Sequence, residues 1–174
     1  MNPKIRRITE TAAMVALLVA LQAATAPAGQ YVTGSCVNAV LAVTTLVVGV
    51  WSGVVVALVS PFFAFLLGIG PQLPPVVPAI AVGNLVFILL LWDLAGRAGT
   101  PVWRQAVGLV AAAAGKFLAL FLIVVQLLCR ILTLPQPQVE KFTAMFSYPQ
   151  LLTALIGGAL ALLIAPVLRK ALKR

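Results

Sequence analysis

Three polar side chains, Lys116, Gln126 and Arg130, stand in the otherwise apolar run from Arg104 to Leu132. At about 100° per residue, Lys116 and Gln126 fall about 40° either side of Arg130, so one helical face carries all three. Leu118, Phe121, Leu122, Val125 and Cys129 fill much of the remainder. A lysine in hydrocarbon costs at least about 2.5–3.5 kcal/mol, so it belongs against a bundle interior or a wet cavity. The structural alternative is that Lys116, about a dozen residues from Arg104, sends its flexible stem to the nearer interface. Two amides raise the same question. Asn84 lies about two turns inside another apolar run and must hydrogen-bond a helix, a water or a ligand. Asn38 lies near the start of a third, where capping or helix–helix bonding competes with ligand contact.

Positioning these groups is the task of a membrane-type chain. The 174 residues are 63% hydrophobic and 9% charged, and the mean hydropathy is +1.14, values far from a soluble domain. The net charge of +9 comes from basic residues that flank apolar spans, not from an aromatic-interleaved surface, so nucleic acid is not an expected partner. Histidine is absent, and Cys36 and Cys129 stand far apart. With Glu10, Asp93 and Glu140 as the sole carboxylates, neither a metal centre nor a base-assisted nucleophile can be assembled. A binding or transport role remains, with no catalytic residue and no cofactor expected.

The expected fold is an all-α integral membrane protein, one domain over residues 1–174 with six transmembrane helices at 8–25, 33–49, 53–68, 78–95, 104–132 and 149–168. Lys4, Arg6 and Arg7 before an apolar run, with Ala24-Thr25-Ala26 after it, imitate a secretory leader. Pro27 would then be the first mature residue, so the first span is expected to be retained. Pro27 to Ser35 reads as a turn-rich loop. The apolar run from Cys36 to Leu67 would extend about 50 Å as one helix and must break, at Gly49 to Gly53. The proline-dense segment from Gly68 to Pro78 forms a stiff uncharged cover. Leu134 to Phe142 reads as the longest loop. Arg6 with Glu10, and Asp93 with Arg97, have the i,i+4 spacing of helical ion pairs.

Six spans bring both termini to one side. That side collects Lys4, Arg6, Arg7, Arg97, Arg104, Arg169, Lys170, Lys173 and Arg174, against Arg130 and Lys141 opposite. This positive-inside pattern makes both termini cytoplasmic. Trp51, Trp92 and Trp103 then fall at the inner interface, and Tyr31, Phe142, Phe146 and Tyr148 near the outer one. The outer half holds Asn84, Gln126 and Arg130. A pocket there, lidded by Gln30, Tyr31, Phe146 and Tyr148, would suit a small organic anion or polar vitamin.

Small size, uneven loops, cytoplasmic termini and a face of small residues at Ala12, Ala16 and Ala20 make the chain resemble the substrate-binding S component of energy-coupling factor (ECF) vitamin transporters. The run from Gly29 to Ala39 (GQYVTGSCVNA) and that from Pro78 to Asn84 (PAIAVGN) look like members of the same group. The resemblance implies a multi-pass subunit in the cytoplasmic membrane of a prokaryote. Such a subunit captures a micronutrient from outside, docks on a membrane-embedded T component powered by two ABC ATPase subunits, and topples to release its substrate inward. Ala12, Ala16 and Ala20 would form the docking face; Asn84, Lys116, Gln126 and Arg130 are the pocket candidates, with Asn38, Gln30 and Tyr31 beside them. The chain has no phosphate-cradling Walker motif, so ATP hydrolysis would fall to the partners. Nickel and cobalt members use an N-terminal histidine that is missing here, which disfavours a metal substrate. A cationic seam favours a carboxylate or phosphate such as pantothenate, niacin, folate or a flavin nucleotide. The competing expectations are a non-transporting interaction or assembly subunit, whose seam binds only neighbouring helices, and a stand-alone secondary transporter, for which internal repeats and a carboxylate relay are lacking.

Overall fold

A computed structural model describes residues 2–97 and 99–172. Seven helices and no strand occur among them: α1 (Pro3–Thr25), α2 (Gln30–Val48), α3 (Val50–Leu66), α4 (Val76–Ala95), α5 (Val102–Ile131), α6 (Gln136–Met145) and α7 (Tyr148–Ala171). α1, α2, α4, α5 and the run ending in α7 are long and apolar enough to cross a membrane, and α3 is a shorter apolar helix of 17 residues. The ends of the chain adjoin, since Arg6 donates to Leu172 O at 3.2 Å. Lys173 and Arg174, counted in the charge pattern, lie outside the described residues.

The chain breaks where backbone chemistry demands. Gly49, at φ +125°, turns α2 into α3 in a conformation that L side chains rarely adopt. Before it, α2 ends in a wide i→i+5 turn at Thr44–Val48, with the Thr44 and Thr45 hydroxyls donating to Val40 O and Leu41 O. Arg169 of α7 reaches across this end: its guanidinium donates to Leu46 O at 2.6 and 2.9 Å and to Gly96 O at 3.3 Å. A residue that reads as a topology charge thus also satisfies helix-end carbonyls of two neighbours. The ion pairs Arg6–Glu10 and Arg97–Asp93 form at 2.9 and 3.0 Å.

Two expected loops are largely helical. Between α1 and α2 only a tight turn at Ala26–Ala28 and Gly29 intervenes, so Gln30 to Ser35 belong to α2. Gly34 and Ser35 are there for close packing and not for a turn: a Cβ on Gly34 would lie 3.1 Å from the Thr153 side chain of α7. Likewise, the segment after Leu134 winds into α6. Pro137 sits in its first turn, where the missing N–H is harmless, and Val139, Phe142 and Met145 or Phe146 recur at helical spacing toward the bundle.

α2 packs along α7, and α4 lies between α3 and α5. Glycines set these distances. A Cβ on Gly157 would stand 2.5 Å from Ser35 O and 2.6 Å from Ala39 N, so the backbones of α7 and α2 meet there. Burial divides into two apolar clusters. One, toward the chain ends, includes Leu41, Val56, Phe87, Leu91 and Ala113. The other, toward α6, includes Val76, Ala79, Leu120, Val124, Phe142 and Phe146. Along α4 and α5 the two are separated by Asn84 and Lys116, which form a polar layer between them.

Candidate functional site

Asn38 stands eight residues after Gln30, the start of α2, and Asn84 eight after Val76, the start of α4. Both are therefore about 12 Å from the end of the bundle that α6 covers. Lys116 reaches them from α5. Its Nζ donates to Asn38 Oδ1 at 2.6 Å and to Asn84 Oδ1 at 2.7 Å. The amide nitrogens are engaged as well: Asn38 Nδ2 donates to Thr153 Oγ1 at 3.3 Å, and Asn84 Nδ2 faces Ala57 O and Ser60 Oγ at 3.5 Å. Because the donors are taken up elsewhere, both carbonyl oxygens turn toward the ammonium. Lys116 is only 3% exposed, with Asn38 at 1% and Asn84 at 2%, so the lysine does not snorkel. The Phe87 ring lies 5.7 Å from Nζ and adds an aromatic face.

Above this layer opens a cavity of about 280 Å³. Asn38, Asn84, Lys116 and Ser60 line it, as do Gln22, Gln30, Thr33 and Gln150. Val37, Pro61, Ala64, Ile69, Ile80 and Phe146 supply apolar wall. The uncharged Gly68–Pro78 segment contributes Ile69, Gly70 and Pro71, as a cover should. A latch closes one side: Gln30 Nε2 and Gln150 Nε2 both donate to Met145 O, the last residue of α6, at 2.6 and 3.1 Å. No carboxylate lines the cavity among the described residues. Glu10 and Asp93 pair with Arg6 and Arg97, and Glu140 accepts from Gln136 at 3.3 Å.

Of the expected pocket residues, Asn38, Asn84, Lys116 and Gln30 come together. Gln126, Arg130 and Tyr31 do not. Arg130 is exposed and donates to Gln126 Oε1 at 2.9 Å, and Tyr31 is half exposed on the first turn of α2. The reason for the first two is local geometry. Buried positions on α5 step through Ala112, Ala113, Lys116, Leu120 and Val124, and then advance by five to Cys129. Phe121–Leu128 runs in wide i→i+5 turns, each residue advancing less than the regular 100°, so the face of Lys116 is lost before Gln126 and Arg130. Phe142 and Phe146 are buried under α6, at 6% and 2% exposed, instead of standing in an interfacial belt, while Tyr148 is exposed.

Gln22 is the residue that sequence reasoning missed. It is buried on α1, lines the cavity, and its Oε1 has no hydrogen-bond partner among the described residues. The signal was the one that singled out Asn84, an amide inside an apolar span. On the same helix Ala12, Ala16 and Ala20 are all exposed, so this small-residue face has no partner within the chain.

An all-helical membrane bundle with a roofed polar cavity is the architecture of a solute-binding membrane protein. Residues 6–169 match the family model described as ECF transporter, substrate-specific component, and the chain belongs to that family. It is therefore a multi-pass, substrate-binding transporter subunit. No curated protein and no solved structure matches the chain.

Proposed function

We propose that this protein captures a small organic micronutrient of the vitamin class in the cavity over Lys116 and delivers it through a T component driven by two ABC ATPase subunits. The observation that carries the reading is a buried ammonium, held by two neutral amides, that faces a roofed cavity. A seam that only joined helices would leave no buried polar atom over; here Gln22 Oε1, in the cavity wall, has no partner among the described residues. The charge pattern supports six crossings of a prokaryotic cytoplasmic membrane with both termini inside, which turns the α6 end and the cavity outward. The exposed Ala12, Ala16 and Ala20 face supports close docking of a partner helix.

Mass spectrometry of compounds that co-purify with the gently extracted protein tests the proposal. A stoichiometric vitamin-sized molecule, confirmed by titration, is expected. A protein that comes out empty and binds none of a panel of vitamins would overturn it.

A further inference from the structure

Resting on the capture reading above, we infer that the substrate is a small organic acid with a single negative charge, its carboxylate on Lys116 and an O–H or N–H group on Gln22.

Charge comes first. Among the described residues that line the cavity, Lys116 is the one cation and none is an acid. The lysine ammonium has three N–H donors, and two go to Asn38 and Asn84. The third is left for the ligand. A carboxylate matches this site in both charge and valence, whereas a phosphate dianion brings two charges to one cation. Replacing Asn84 or Asn38 by an acid would have neutralised the ammonium; amides fix its position and leave its charge for the ligand.

A second polar contact comes next. Gln22 Oε1 is a buried acceptor lacking a partner among the described residues, on a different helix from the lysine network. An unsatisfied buried acceptor costs about 1–3 kcal/mol, and a ligand donor removes that cost. Val37, Ile80 and Phe146 add apolar wall, so the ligand also carries a short carbon skeleton.

Size comes third. The 280 Å³ lies just below the usual range for ligand sites, about 300–1,000 Å³. A small ligand fits such a site better than a large one. Of the substrates a cationic seam allows, this retains acids the size of pantothenate and niacin. Folate, with two carboxylates, and flavin nucleotides, with a phosphate dianion, bring more than one negative charge to a single ammonium.

The test is calorimetric titration of the detergent-solubilised protein with matched acid and neutral probes, pantothenate against pantothenol and nicotinate against nicotinamide, with folate and flavin mononucleotide as large anions. Any compound that co-purifies is also identified. The expected result is that one small acid binds, or co-purifies, and that its neutral counterpart binds about 10–100-fold more weakly, as loss of a hydrogen bond to a charged group implies. Lys116→Met should abolish the preference for acid over neutral partner. Gln22→Leu should weaken both and leave their ratio intact, and thermal unfolding of both variants confirms folding. Tight binding of folate, flavin mononucleotide or a neutral or cationic compound overturns the inference while leaving the capture reading standing. Absence of any bound or co-purified compound overturns both.

Discussion

Asn84→Leu and Lys116→Met, alone and together, should be strongly non-additive if the lysine is a buried charge held by amides. Asn84→Leu removes the 2.7 Å acceptor of Lys116 and leaves the ammonium with one protein oxygen in a site 3% exposed. Stripping a partner from a buried charge costs about 3–5 kcal/mol. The other bonds of Asn84, at 3.5 Å, are too long to add much. Lys116→Met instead removes the charge and fills the space with a flexible apolar chain. It strands Asn38 Oδ1 and Asn84 Oδ1, at about 1–3 kcal/mol each, but relieves an ammonium desolvation of several kcal/mol. The net change should lie within about 2 kcal/mol of zero, by difference of those terms. In the double variant the leucine no longer faces a charge, so it should be more stable than Asn84→Leu alone. For a chain of this length about 1 kcal/mol moves Tm by about 2–4 °C. Asn84→Leu should therefore lower Tm by roughly 6–20 °C, and adding Lys116→Met should restore much of it. Thermal unfolding in one detergent measures all four corners of the cycle. Additive losses, with Lys116→Met as damaging as Asn84→Leu, would refute the buried-charge argument.

Three further outcomes are expected. Ala16→Phe, on the exposed face of α1, should leave ligand affinity unchanged but abolish ATP-dependent uptake in vesicles with the coupling subunits; intact uptake would remove the docking assignment. Arg130→Ala and Gln126→Ala should leave affinity within about twofold, since their exposed bond lies outside the cavity and surface interactions are worth little; a large loss in titration would return them to the site. Gly157→Val should destabilise by at least about 1–3 kcal/mol, because its Cβ would meet backbone atoms of Ser35 and Ala39 and push on Asn38 Cβ at 2.7 Å. Unfolding measurements that found it neutral would mean α2 and α7 can separate freely.

Segmentation was legible wherever a rule of backbone sterics applied. Gly49 and the cluster of Pro71, Pro74 and Pro75 interrupt the helices, and the breaks fall there, while Pro78 lies in the first turn of α4 where its missing N–H is harmless. Rules of composition failed. Gly34 and Ser35 signal a turn in water, but in an apolar bundle small residues let helices approach, and Thr153 fills the space a side chain would take. Leu134 to Phe142 was read as a loop although Pro137, two residues after Pro135, stands where a helix starts. At the site, the depth of an amide in an apolar run was informative, and it would have identified Gln22 along with Asn38 and Asn84. The angular argument on α5 assumed a uniform 100° per residue. It served from Leu109 to Val124 and failed beyond it, where the wide turns of Phe121–Leu128 carry Arg130 outward. No periodicity in the residues themselves announces that change.

The choice of amides in place of acids around Lys116 leads to the last prediction. A carboxylate at position 84 would sit where Asn84 Oδ1 lies, 2.7 Å from Nζ, and would form an ion pair in a dry site. Asn84→Asp should therefore fold at least as stably as Asn84→Leu and well above it in Tm, since the ammonium regains an acceptor with opposite charge. Yet it should bind an organic anion at least about tenfold more weakly, because the ligand would meet a neutral pair, and a hydrogen bond to a charged group is worth about 1.5–3 kcal/mol. The acid thus restores the stability that Asn84→Leu loses without restoring the affinity. Titration and unfolding on the same preparation decide it: undiminished anion affinity in a well-folded Asn84→Asp protein would mean that Lys116 holds the bundle together and does not hold the ligand.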